Sequence, residues 1–285
     1  METQPFNSGE PIAWCPGCGN FGILSAIRTA LTRLGRKPSE VVLVSGIGQA
    51  AKLPHYVRAN CFNGLHGRAL PAATGIKIAD KNLTVIVTTG DGDCYGEGGN
   101  HFLHAIRRNP DITVIVHDNQ VYGLTKGQAS PTSEKGYVTK VQRSGVVMEP
   151  LRPLRLAIAL GCGFAARGYS GDAVHLADLI VQAVSYRGFS LIDVLQPCVS
   201  FNKLNTRPWY DKRIYKLDNA SGYDPADVSA AFNKAGEWGD SIPIGVVYRA
   251  DRPSFEDATG LSAMKPLVDV EPDETPFDTI MKKFM

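Results

Sequence analysis

The sequence predicts an α/β fold: a doubly wound parallel sheet with helices on both faces. Short β-branched runs alternate with segments of helical apolar periodicity, and glycine turns follow the runs directly, which is the order of βαβ units. Leu24, Ile27, Leu31 and Leu34 fall at helical spacing, with Asn20 the expected N-cap and Gly35 the expected stop. Residues 41–45 read as a short strand broken by G-I-G at 46–48. A helix after Pro71, a strand over 83–89, a helix over 99–108 and a strand over 112–117 continue the alternation. A helix over 172–186 leads into a strand over 190–195, and Cys198 follows Pro197 directly. From Asn202 the rhythm is lost. The expected division is therefore 1–201 as the main domain and 202–285 as a C-terminal extension, with one or two helices and a strand at 243–248, suited to covering a partner.

Composition narrows the function classes. A chain of 285 residues that is 44% apolar can bury a core without staples, and 30 basic against 28 acidic side chains leave no footprint for nucleic acid or an anionic membrane. The longest apolar runs fall far short of a membrane span and the N-terminus lacks a signal-peptide pattern, so a cytoplasmic location is expected. Six cysteines, at 15, 18, 61, 94, 162 and 198, are too sparse for a disulfide scaffold. Cys94 and Cys162 are expected to be plainly buried. His101, His104, His117 and His175 show no metal-pair spacing and read as structural; Lys81, Arg107 and Arg108 read as solvated surface.

The chemistry concentrates in G-D-G-D at 90–93, where a strand ends, and in Asn119, 28 positions after Asp91 and also at a strand end. Ligands of doubly wound sheets bind outside the carboxyl ends of strands. Glycines flanking Asp91 let a phosphate approach the backbone, while a carboxylate, an amide oxygen and a main-chain carbonyl make a hard oxygen set suited to Mg²⁺ with diphosphate and water. Taken alone, G-D-G is a turn and Asn119 a cap; placement at successive strand ends favours the site. Cys15 and Cys18, in W-C-P-G-C-G at 14–19, form a pair suited to iron–sulfur ligation or to a structural zinc turn.

G-D-G at 90–92 with D-N-Q-V at 118–121 resembles the thiamine diphosphate motif. W-C-P-G-C-G, S-G-I-G at 45–48, H-G-R-A-L-P at 66–71, L-T-K-G-Q at 124–128 and S-P-T-S at 130–133 resemble the beta subunit of 2-oxoacid:ferredoxin oxidoreductases, in that family's order and to about Leu217. The resemblance implies the diphosphate-module type of thiamine diphosphate-binding fold. It implies Mg²⁺ on Asp91, Asn119 and the Val121 carbonyl, with Gly90, Gly92, Asp93, Gly123 and Leu124 around the cofactor, and one [4Fe-4S] cluster on the cysteines. The implied reaction is the coenzyme A-dependent oxidative decarboxylation of a 2-oxoacid, with electrons passing through the cluster to ferredoxin, or its reverse, carboxylation. An α subunit would complete the site, in a dimer of αβ heterodimers. His66 is expected at cofactor or substrate. The form of L-T-K-G-Q resembles the 2-oxoglutarate or broad 2-oxoacid branch; Lys52 is expected to pair with a second substrate carboxylate, and Lys126 to serve substrate, coenzyme A or the partner chain.

One position departs from the pattern. Where the family has S-G-I-G-C, with that cysteine a cluster ligand, this chain has Gln49. Cys15, Cys18 and Cys198 remain, and Cys61, expected in a loop returning to the same sheet edge, is the expected replacement. Three cysteines with a non-cysteine fourth ligand, or a site without iron, are the alternatives. A different class stays open too: a non-redox thiamine decarboxylase subunit with structural cysteines, or a zinc-stabilised interaction protein on the same scaffold.

Overall fold

The computed structural model describes residues 5–219, 222–271 and 276–285. Its strands are β1 (Val41–Ser45), β2 (Asn60–Asn63), β3 (Thr84–Gly90), β4 (Thr113–Asp118), β5 (Val121–Tyr122), β6 (Gln128–Ala129), β7 (Phe164–Tyr169), β8 (Ser190–Leu195), β9 (Ile214–Lys216) and β10 (Ile242–Arg249). The principal helices are α1 (Asn20–Arg33), α2 (Ala69–Ala79), α3 (Gly99–Arg108), α4 (Pro153–Ala159), α5 (Ala173–Ser185), α6 (Arg207–Asp211) and α7 (Val228–Gly236). Eight strands form one sheet in the order β2-β1-β3-β4-β8-β7-β10-β9, and β5 pairs with β6 as a separate ribbon. From β2 to β7 every pairing is parallel. β10 runs antiparallel to β7, so the sheet is mixed at that end.

Both faces are covered, which is why the central strands read as unbroken apolar runs. Val42, Val44, Val85, Val87, Val114, Val116 and Leu191 face one core with residues of α2, α3, α4 and α7. Leu43, Ile86, Ile115, Ile192 and Val194 face the other, against α1 and α5. Cys94 and Cys162 are buried. Among the described residues no helix is long and apolar enough to cross a membrane.

Four local expectations are corrected. Asn20 is the first residue of α1 and not its cap; Gly19 caps, and the Asn20 amide oxygen accepts from His117 Nδ1 at 2.8 Å. α2 begins two residues before Pro71, which sits in the first turn, where a missing N–H breaks no helical bond. The segment containing Cys61 is not a loop: it is the edge strand β2, with Cys61 in register beside Leu43. β7, which no β-branched run announced, inserts between β8 and β10.

Residues beyond 201 extend this sheet through β9 and β10. Arg167, on β7 and 2% exposed, donates to the carbonyls of Ala235 (2.8 Å) and Pro243 (3.4 Å), tying α7 and β10 to the centre.

α1 approaches the turn after β7 through Gly22, where an added Cβ would fall 1.9 Å from the Ser170 carbonyl oxygen. That neighbour is backbone and cannot swing aside. Gly22→Ala is therefore expected to lower stability by about 1–3 kcal/mol, as overpacking does, measured by urea denaturation; an unchanged midpoint would show that α1 can slide.

Candidate active site

The parallel register brings the ends of β1, β3 and β4 to one edge. The turns that follow them enclose a cavity of about 150 Å³ lined by Gly48, Gln49, His66, Gly90, Asp91, Gly92, Asp93, His117, Asn119, Val121, Gly123 and Leu124, among others. After β3 the chain enters a π-helical turn, Gly92–Glu97, before α3; such turns recur at functional sites. Gly92 is needed there because a Cβ would lie 2.2 Å from the Tyr122 ring.

Asp91 is buried, and its Oδ2 accepts from Ser130 Oγ (2.5 Å) and Thr132 Oγ1 (2.8 Å), with Oδ1 unclaimed by any side chain among the described residues. Burial pushes its carboxyl up to about 6, against the opposing pull of the two hydroxyls. Asp118 and Asp193 are raised as well, chiefly by burial. Asn119 Oδ1 accepts from the Val121 amide at 3.0 Å, an Asx turn that points chain and side chain toward the same cavity. The donor set of carboxylate, amide oxygen and carbonyl is hard and fits Mg²⁺.

Asp93 stands beside the cavity with its carboxylate already engaged. It accepts from His66 Nδ1 (2.6 Å), the Gly67 amide (2.7 Å) and Thr89 Oγ1 (2.7 Å). Those contacts fix the His66 ring through Nδ1, while Asp93 itself remains among the residues that line the cavity. Gly46 permits this, since a Cβ would meet Asp93 Oδ2 at 2.2 Å. His117, expected to be structural, lines the cavity; it is held neutral, pushed down to about 3 by burial, with Nε2 unpaired. Its place at the end of a strand was the available signal. Ser130 and Thr132 were visible only as part of S-P-T-S. Lys52 and Lys126 do not line this cavity: Lys52 lies on the turn after Gln49, and Lys126 is exposed in the turn after β5 with φ 68°.

A second cavity, of about 70 Å³, is lined by Trp14, Cys15, Cys18 and Cys198, and shares Gln49, Asn119 and Gly123 with the first. Ser200 Oγ donates to Cys15 Sγ (3.2 Å) and Gln196 Nε2 to Cys18 Sγ (3.4 Å). Burial raises the Cys18 thiol, and Cys198 and Cys15 add to it through their charge. Cys61 is not among the lining residues; on β2 it is exposed, in register with Leu43 and two residues short of the strand end. Among the described residues no three His, Cys, Asp or Glu side chains stand ready to hold a metal ion.

A glycine-flanked acid and an asparagine turn at neighbouring strand ends define a thiamine diphosphate-binding domain. Residues 14–194 match the family described as thiamine pyrophosphate enzyme, C-terminal TPP binding domain, and residues 198–262 match the C-terminal family of the pyruvate ferredoxin oxidoreductase beta chain. The chain is 49% identical over 256 residues to a 2-oxoacid:ferredoxin oxidoreductase subunit beta of Sulfolobus sp, covering 86% of this chain and 84% of that one. It is 51% identical over 247 residues to the Saccharolobus solfataricus subunit beta, covering 83% and 81%. A solved 2-oxoglutarate:ferredoxin oxidoreductase from Magnetococcus marinus, with 2-oxoglutarate, coenzyme A and succinyl-CoA bound, superposes with a TM-score of 0.90 at 31% identity, covering 100% and 96%. The chain belongs to the 2-oxoacid:ferredoxin oxidoreductase beta-subunit family.

The raised Asp91 carboxyl has a pH consequence. The folded chain holds that proton more tightly than the unfolded chain, so this contribution to stability is complete below about pH 4 and is lost as pH rises through about 6. In divalent-free buffer, wild type should lose about 1–3 kcal/mol relative to Asp91→Asn across that window. A difference that is flat or of opposite sign in pH-dependent thermal denaturation would count against the raised carboxyl.

Proposed function

We propose that this chain, with an α subunit, carries out coenzyme A-dependent oxidative decarboxylation of a 2-oxoacid, 2-oxoglutarate first among them, and passes the electrons to ferredoxin; the reverse carboxylation uses the same site. The observation that carries the reading is the shared wall: Gln49, Asn119 and Gly123 line both the Asp91 cavity and the cysteine cavity. A cofactor and a redox centre in those two places would be separated by one layer of residues.

Asp91, Asn119 and the Val121 carbonyl would hold Mg²⁺ against the diphosphate, and Gly90 and Gly92 would admit the phosphates. When bound, thiamine diphosphate supplies the electron sink for decarboxylation. His66, fixed through Nδ1 by Asp93, presents Nε2 to substrate or cofactor. His117 offers an unpaired nitrogen from a buried, uncharged ring. Cys15, Cys18 and Cys198 would hold an iron–sulfur cluster, with hydrogen bonds from Ser200 and Gln196 raising its potential. A cavity of about 680 Å³ adjoining Cys18 and Cys198 is lined in part by Lys203 and Arg207, which suits an acidic electron acceptor such as ferredoxin.

The division into 1–201 and a partner-covering 202–285 is retained as part of this proposal. Exposed Leu267, Val268, Phe277 and Phe284 support it, being apolar side chains left open by the described residues. A dimer of αβ heterodimers is the proposed assembly. Lys126, exposed beside the cavity turn, is assigned to coenzyme A or the partner chain, and Lys52 to a second substrate carboxylate.

In the complex co-expressed with its α subunit, Asp91→Ala should abolish thiamine diphosphate retention and turnover while circular dichroism stays that of wild type. Cofactor retained at the wild-type level would sink the metal assignment. Lys52→Ala should lower the ratio of kcat/KM for 2-oxoglutarate over pyruvate by roughly tenfold or more; an unchanged ratio removes Lys52 from substrate recognition.

A further inference from the structure

The cysteine cavity contains three thiols and one unexplained polar group. Gln49 lines it, at the start of the 3₁₀ turn after β1, and its side-chain oxygen Oε1 is buried with no hydrogen-bond partner among the described residues. Buried polar atoms are almost always paired, and one that is not calls for a ligand or another cause. The residue is not placed loosely. Trp14 Nε1 donates to the Gln49 carbonyl at 3.0 Å, and Trp14 itself lines the cavity one position before Cys15. On the other side, an added Cβ at Gly123 would lie 3.9 Å from Gln49 Cγ, so the stem of the side chain runs along the shared wall. The fourth thiol within sequence reach, Cys61, is on the far neighbour of β1 and does not line the cavity.

We propose that this chain holds its iron–sulfur cluster asymmetrically: three irons on the thiolates of Cys15, Cys18 and Cys198, and the fourth on the amide oxygen of Gln49, with Cys61 uninvolved. The proposal rests on the cluster reading above and refines it. An amide oxygen is a hard, neutral ligand on a soft centre, so the fourth iron is bound weakly. Replacing an anionic thiolate by a neutral oxygen also makes the ligated cluster less negative, and net charge is one of the determinants of its potential. Two properties follow. The fourth iron is labile to mild oxidation, and the potential lies above that of the same site with four thiolates.

The experiment uses the αβ complex, purified anaerobically as wild type, Gln49→Cys, Gln49→Leu and Cys61→Ser, with iron and acid-labile sulfide assays, electron paramagnetic resonance of the reduced and oxidised forms, and potentiometric titration. Limited ferricyanide takes one electron from [4Fe-4S]²⁺, and the resulting core releases one Fe²⁺ to leave [3Fe-4S]⁺. Wild type should follow this course, losing one iron in four. Gln49→Leu should be isolated largely as the three-iron form, and Gln49→Cys should resist the loss and titrate at a lower potential. Cys61→Ser should match wild type in iron, spectrum and potential. The proposal is overturned if Cys61→Ser loses iron or changes the spectrum. It is equally overturned if Gln49→Leu keeps the wild-type spectrum and potential, including the case in which it alters only thiamine diphosphate affinity, which would assign the Gln49 oxygen to the neighbouring cavity. Wild type without iron and sulfide would overturn the cluster reading together with this one, whereas iron present but indifferent to Gln49 removes this inference alone.

Discussion

One hydroxyl, that of Thr132, lies between two buried carboxyl groups, 2.8 Å from Asp91 Oδ2 and 2.7 Å from Asp118 Oδ1. A hydroxyl has one proton and can donate to only one of them. The other contact is a good hydrogen bond only if its carboxyl keeps a proton, and burial raises both groups in that direction. Asp193, also buried, adds a third acid to the cluster. Crowded, desolvated carboxyls of this kind hold protons in the absence of a cation, and a dication bound beside Asp91, as proposed, would invert that balance. With the proposed Mg²⁺ in place, the edge of the sheet would be organised around a charge that the chain itself does not supply.

The rest of the fold neutralises what such a cation would not reach. Asp193 accepts from Tyr95 at 2.8 Å, and across the sheet its register partner is Arg167. Burial lowers the Arg167 guanidinium, and Asp193 is the first of the charges that support it. Its two terminal nitrogens donate to the carbonyls of Ala235 and Pro243, while Nε finds no partner among the described residues. The chain after residue 201 is therefore coupled to the acid cluster through a buried arginine, although it carries none of the proposed metal ligands.

This arrangement decides what could be read from the sequence. β1, β3, β4 and β8 are β-branched runs between helical segments, and both faces are buried, so their pattern is continuous and legible. β7, F-A-A-R-G-Y, is equally buried but owes its place to Arg167 and to close packing at Gly168, neither of which has a local signature. β2, N-C-F-N, is a fully exposed edge strand with no apolar alternation, which is why the pattern puts Cys61 in a loop. Asp91 and Asn119 were legible because strand ends in a parallel sheet gather by necessity. His117 and the internal engagement of Asp93 were not, since they depend on which neighbours happen to stand within hydrogen-bond reach.

The convergence of the cysteines has its own cause, and it lies in two glycines. Cys15 and Cys18 precede α1, while Cys198 follows β8, 180 positions after Cys18. The Gly19 amide donates to the Pro197 carbonyl at 3.4 Å, and a Cβ at Gly19 would strike Gln196 at 2.6 Å and Ser170 Oγ at 2.7 Å. Gly22, one turn on, leaves the same clearance over the Ser170 carbonyl. Any side chain at these positions would lift the start of α1 off the end of β8 and separate the thiols. The C-P-G-C-G turn then does more than present two thiols: its last glycine is the contact that lets the pair reach the third cysteine, and with it the wall shared with the Asp91 cavity.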